Sequence, residues 1–147
     1  MDPTETAVFS VSLYYRVLSP TNVQSFPWRS IWSVKAPLRV AFFLWTATRG
    51  QILTLDNSHK CQICIVEWCC MCNMNGESMD HLLLHCAYLH NPWSLVFCMF
   101  GVQWVMPWKV VDLLACWKGD FGGHRTTGMW EAIPACSMWI IWQERNI

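Results

Sequence analysis

A chain of 147 residues falls within the range of a single domain and is long enough to bury one core. Hydrophobic residues make up 54% and charged residues only 14%, which excludes a charge-rich disordered chain, and eleven tryptophans each call for burial or a polar partner. Formal net charge is zero, so the whole chain exerts no strong pull on nucleic acid, and its apolar runs, such as Val40 to Trp45 and Ala135 to Trp142, are too short to span a bilayer.

Residues 1–8 read as a disordered N-terminal segment and 9–147 as the domain. Asp2, Pro3 and Glu5 do not make the basic start of a secretory signal, so a reducing intracellular setting, nuclear or cytoplasmic, is the default. Nine cysteines, an odd number, then point to metal binding rather than to a disulfide framework.

In chain order, Phe9 to Leu18 begins with strand-like alternation and ends with helical spacing, and Ser19-Pro20-Thr21-Asn22 breaks it. Trp28 and Trp32 suggest a short helix that closes by Ala36, ahead of Pro37. Pro37 suits the first turn of a core helix running through Phe42 and Trp45 to a stop at Gly50. Residues 51–59 predict a further helical turn with Asp56 or Asn57 as cap or turn residue. Beyond the cysteine-rich stretch, Tyr88 to Phe100 has helical spacing with Pro92 in the first turn, and Pro107 opens a helix through Trp117. Lys118 to Gly123 reads as a loop, and a last helix spans roughly Gly128 to Arg145, kinked or broken at Pro134. Cys98, Cys116 and Cys136, isolated among apolar residues, read as small buried hydrophobes.

Charge is unevenly placed. No acid lies between Glu5 and Asp56, whereas Arg16, Arg29, Lys35, Arg39 and Arg49 do. Such a basic stretch offers weak, salt-sensitive contacts to phosphate; the same pattern also suits a solvated helix face.

Residues 69 to 86 carry the most specific chemistry, a Cys-x2-Cys pair followed by a His-x4-Cys pair, and four such donors can close a tetrahedral zinc site. Cys69 and Cys72 can face one metal from a tight turn, Gly76 is free to take positive φ, Ser78 can cap the next helix with Asp80 in its first turn, and Cys70 points away. The fourth ligand is open on geometry. On a regular helix His85 lies about 40° from His81 and Cys86 about 140°, so His85 has the better position and Cys86 reaches only where the helix loosens. Cys61-x2-Cys64 is a second pair that could compete. These elements predict a mainly α fold, a small helical domain around a zinc knuckle with little or no β structure.

Several motifs together resemble one family: Trp28-x3-Trp32, Lys35-x-Pro37-x-Arg39-Val40-Ala41-Phe42-Phe43-Leu44-Trp45, Ile52-Leu53-Thr54-x-Asp56-Asn57, Cys69-x2-Cys72 with Glu77-Ser78-x2-His81-Leu82-x3-Cys86, and Trp139-x2-Trp142-x-Glu144-Arg145-Asn146. The chain is similar, from about residue 9 to its end, to the zinc-binding domain that follows reverse transcriptase in plant LINE-type (non-LTR) retrotransposons. The resemblance implies Zn2+ bound by Cys69, Cys72, His81 and Cys86, and a non-catalytic module assisting the binding of RNA or DNA; the basic stretch makes Arg29, Lys35, Arg39 and Arg49 the candidate contacts. A degenerate remnant acting only as a structural or protein-interaction domain is the alternative. No paired aspartates, phosphate loop or nucleophile elbow are present, so catalysis and a small-molecule substrate are not expected, and the short apolar runs argue against membrane insertion.

Overall fold

The structure, a computed structural model, describes residues 26–63, 68–117 and 124–147, with only the backbone at His124 and Arg125. The expectations for 1–8, Phe9 to Leu18, Cys64 and Lys118 to Gly123 lie outside the described residues. Within them the fold is helical, with α1 Trp28–Trp32, α2 Leu38–Thr48, α3 Leu55–Lys60, a π-helical segment His81–His85, a 3-10 turn Ala87–Leu89, α4 His90–Phe100, α5 Val110–Cys116 and α6 His124–Arg145. Its β pairing is a single bridge between Trp68 and Gly76 among the described residues.

Pro37 precedes α2, with φ −56° and ψ 145°, and its carbonyl accepts the N–H groups of Val40 and Ala41. The apolar stripe of Val40, Phe43, Leu44 and Ala47 is buried, and it lays α2 against α6. Gly50 ends the helix at φ 66°, with Gly50 N–H on Ala47 O and Gln51 N–H on Thr46 O. That left-handed step is why glycine stands there. The cap of α3 is Thr54, whose Oγ1 accepts the Asn57 N–H at 3.3 Å. Asn57 is the turn residue, its amide donating to the carbonyls of Gly50 and Ile52 at 2.8 and 2.7 Å, and Asp56 is neither.

α5 starts only at Val110, three residues beyond Pro107, because Asp80 Oδ1 accepts the Val110 N–H at 2.8 Å and satisfies an orphan donor of that first turn. α6 runs unbroken through Pro134 and begins earlier than expected, at His124. A proline in a helix removes the N–H that the carbonyl four residues back would accept. Here that carbonyl belongs to Trp130, and the Trp117 indole N–H donates to it at 2.8 Å. The two indoles stack at 4.2 Å and 14°, with Trp93, Phe97 and Trp104 arrayed around them. The tryptophan load is therefore partly a repair of the proline. Trp117→Phe, which keeps the ring but not the donor, is expected to cost about 1–3 kcal/mol in urea unfolding. The loss should shrink in a Pro134→Ala background, where the helix supplies its own N–H.

Cys98, Cys116 and Cys136 are exposed, contrary to the buried role expected of them. The inward positions of their helices are taken by other apolar groups: Trp93 on α4, Leu113 and Leu114 on α5, and Trp130 and Met138 on α6.

Candidate metal centre

The segment from Trp68 to Cys86 turns back on itself to gather four donor side chains. The Trp68 and Gly76 bridge and a 2.6 Å bond from Cys69 N–H to Asn75 O close a loop that reverses at Asn73. Asn73 takes the positive φ, 55°, a conformation asparagine tolerates better than most residues. Gly76 does not adopt it, because the bridge to Trp68 holds its backbone.

Ser78 Oγ accepts the His81 N–H at 3.1 Å and opens the helical turn that presents His81. From there the backbone widens. Cys86 N–H donates to His81 O at 2.7 Å, an i to i+5 bond of a π-helix rather than an i to i+4 bond. Residues five apart then come round onto one face, and Cys86 sits beneath His81. His85 is turned away: its Nε2 lies 3.0 Å from the Trp108 carbonyl and its ring 5.1 Å from the Trp108 ring. The geometric preference for His85 fails because the helix is not regular at this point.

The Sγ atoms of Cys69, Cys72 and Cys86 and a ring nitrogen of His81 all lie within 4.8 Å of one another. Cys69 and Cys86 sulfurs are 4.0 Å apart, and Cys72 Sγ is 3.3 Å from His81 Nε2. Tetrahedral zinc, with Zn–S of about 2.3 Å and Zn–N of about 2.0 Å, requires S···S near ~3.8 Å and S···N near ~3.6 Å, so the donors need shift by only about 1 Å. Three sulfurs and one imidazole are a closed structural set with no position left for substrate. Among the described residues this is the one group of Cys, His, Asp and Glu that could hold a metal ion. Cys61 is exposed and outside it.

The sulfurs are not equivalent electrostatically. Burial pushes Cys86 up to about 12, despite the Tyr88 N–H, with Cys69 beside it adding to the rise. Burial also raises Cys69, against the N–H groups of Cys72 and Met71. At Cys72 burial is outweighed by the N–H groups of Met74 and Asn75 and by His81 and Cys86, which bring the thiol down to about 6. Cys72 is therefore the most acidic of the three thiols.

Cys70 points away from the cluster and donates its S–H to Glu77 Oε2 at 3.0 Å. Burial first, and the carboxylate next, lift its thiol to about 11. Glu77 is the residue that motif reading left without a role. Its side chain is fully buried, and Oε1 accepts Arg145 Nη2 at 2.7 Å, Arg145 Nε at 3.1 Å and the Leu55 N–H at 3.0 Å. Oε2 also takes the Cys70 N–H at 3.3 Å. Burial opposes the charge, but these donors, Arg145 foremost, hold the carboxyl below its usual range. Both residues stood inside motifs noted in the sequence, yet no local pattern joins positions 68 residues apart.

Arg29, Lys35, Arg39 and Arg49 are all exposed, on α1, the turn after it, and α2 with its end. The Arg49 guanidinium lies 5.1 Å over the Trp45 ring. The ion pairs among the described residues are Lys60 with Asp56 and Arg145 with Glu77, so none of the four is matched to a carboxylate there. The metal cluster and these cations do not share a residue or a turn.

No helix of the described residues is long and apolar enough to cross a membrane. No solved structure matches the chain. An Arabidopsis thaliana protein named "Putative ribonuclease H protein" is 28% identical over 142 residues, covering 93% of this chain and 23% of that protein. The chain thus spans about a quarter of the length of the curated relative it matches. The profile of the family described as zinc-binding in reverse transcriptase matches residues 9–93, which include the whole Cys69 to Cys86 cluster. The chain belongs to this family of reverse-transcriptase zinc-binding domains.

Proposed function

We propose that the chain is a non-catalytic module in which Zn2+, held by Cys69, Cys72, His81 and Cys86, fixes a knuckle against the helical core, and that this module assists the binding of single-stranded RNA or DNA. The convergence of three sulfurs and an imidazole within 4.8 Å carries the first half of the reading. The second half is supported by the exposed cations of α1 and α2, which lie among exposed aromatic residues, Trp28, Trp32 and Phe42. Cations that track a backbone beside rings that stack on bases are the usual means of binding single strands without sequence preference. Zinc supplies structure here and no reactive position. The ribonuclease H in the relative's name belongs to that longer protein; this chain is expected not to cleave RNA.

The test is fluorescence anisotropy with a labelled single-stranded RNA across a salt series. Affinity should fall as salt rises, with a log–log slope of about −0.7 per phosphate contacted, and the double variant Arg39→Ala, Arg49→Ala should flatten it by about one to two contacts. A second reading, a structural or protein-interaction remnant, is favoured by the exposed apolar side chains Leu38, Leu95, Met99 and Ile140. Absence of RNA binding, with self-association that survives high salt, would select it.

A further inference from the structure

The peptide plane between Cys69 and Cys70 is held at both ends. Its carbonyl accepts the Asn73 N–H at 2.8 Å, and its N–H, that of Cys70, donates to Glu77 Oε2 at 3.3 Å. This plane sets the direction of the Cys69 side chain and the start of the turn whose Met71 and Cys72 N–H groups face the Cys69 sulfur. Donors from Leu55, Cys70 and Arg145 converge on both Glu77 oxygens, which suits the carboxylate, and a fully buried carboxylate calls for a matching charge. The match is Arg145, at the far end of α6 and 68 residues away. It lies beyond residue 93, where the family match ends.

We infer that Glu77 and Arg145 are positioning residues for the metal: the ion pair holds the Cys69 to Cys72 turn in its ligating geometry, so the C-terminal end of α6 is an integral part of the zinc site. This rests on the zinc reading of the cluster. Docking of α6 and metal binding are then linked, and each strengthens the other by the same factor. Outer partners of metal ligands commonly contribute 10- to 100-fold to affinity by such orientation.

The experiment titrates the full-length apo chain with Co2+, whose visible d–d bands report tetrahedral sulfur coordination, and then displaces it with Zn2+ to obtain both affinities. Arg145→Met is expected to weaken both ions by roughly 10- to 100-fold and to dim the bands, and Arg145→Lys, which keeps the charge without the planar fork, should recover part of each. Trp130→Leu is the control, since it removes packing on the same helix fifteen residues, or about 22 Å, from Arg145. It should lower thermal stability with wild-type cobalt bands. A helical Arg145→Met chain with wild-type affinity overturns the inference, as does an equal loss of affinity in Trp130→Leu. Where Arg145→Met stays unfolded at saturating zinc, Arg145→Lys decides: weaker binding supports the inference and unchanged binding overturns it. A wild-type chain that binds neither ion defeats the zinc reading itself and this inference with it.

Discussion

Cys86→Ala is expected to strip zinc from the full-length chain and to unfold much of its helical structure, whereas His85→Ala keeps a full complement of metal. The contrast follows from the π-helical winding, which brings Cys86 under His81 and sends His85 to the Trp108 carbonyl and ring. Apparent binding energies of structural zinc in small domains run to about 10–16 kcal/mol. Domains of this size are stable by only about 5–15 kcal/mol, so losing one of four ligands threatens the fold as well as the metal. His85→Ala removes one partly exposed polar contact and one ring contact, a loss of about 1 kcal/mol. Metal content per chain after gel filtration, read beside far-UV circular dichroism, separates the two. Equal zinc loss in both variants would contradict the assignment.

Glu77→Ala should be the most damaging substitution outside the cluster, at about 3–5 kcal/mol, because it breaks a buried ion pair and strips the Leu55 and Cys70 N–H groups of their acceptor. Glu77→Gln tests the charge itself. The folded protein holds the Glu77 carboxyl below its usual range, chiefly through Arg145 working against burial. A carboxyl depressed on folding stabilises the native state above its unfolded pKa, about 4.3, and that stability is lost as pH falls through the lower folded value. The stability gap between wild type and Glu77→Gln should therefore be full near neutrality and narrow below about pH 4. A gap constant across that range in urea unfolding would show that the charge is not the source.

Much of the fold was legible because punctuation in this chain is strong. Pro37 and Gly50 bracket α2 as their backbone preferences require, and Ser78 caps the turn that presents His81. What sequence reasoning missed depends on partners distant in the chain. Pro134 read as a kink or a break, and the break is absent because the Trp117 indole, just past the end of α5, takes up the freed carbonyl. Asn73 rather than Gly76 took the left-handed turn because the pairing of Gly76 with Trp68 fixes the glycine first. Spacing made Cys86 a candidate, but it was chosen over His85 by resemblance, against a regular helix-face argument, since the 3.6-residue period cannot foresee a π turn. The link from Glu77 to Arg145 left no local trace at all.

Zinc-edge X-ray absorption on the purified full-length chain tests the central claim most directly, because it reads ligand type and distance at once. The expected result is one zinc per chain surrounded by three sulfurs at about 2.3 Å and one nitrogen at about 2.0 Å. A chain purified and reconstituted without stoichiometric zinc, or a shell of two sulfurs and two nitrogens, would contradict the Cys69, Cys72, His81 and Cys86 site.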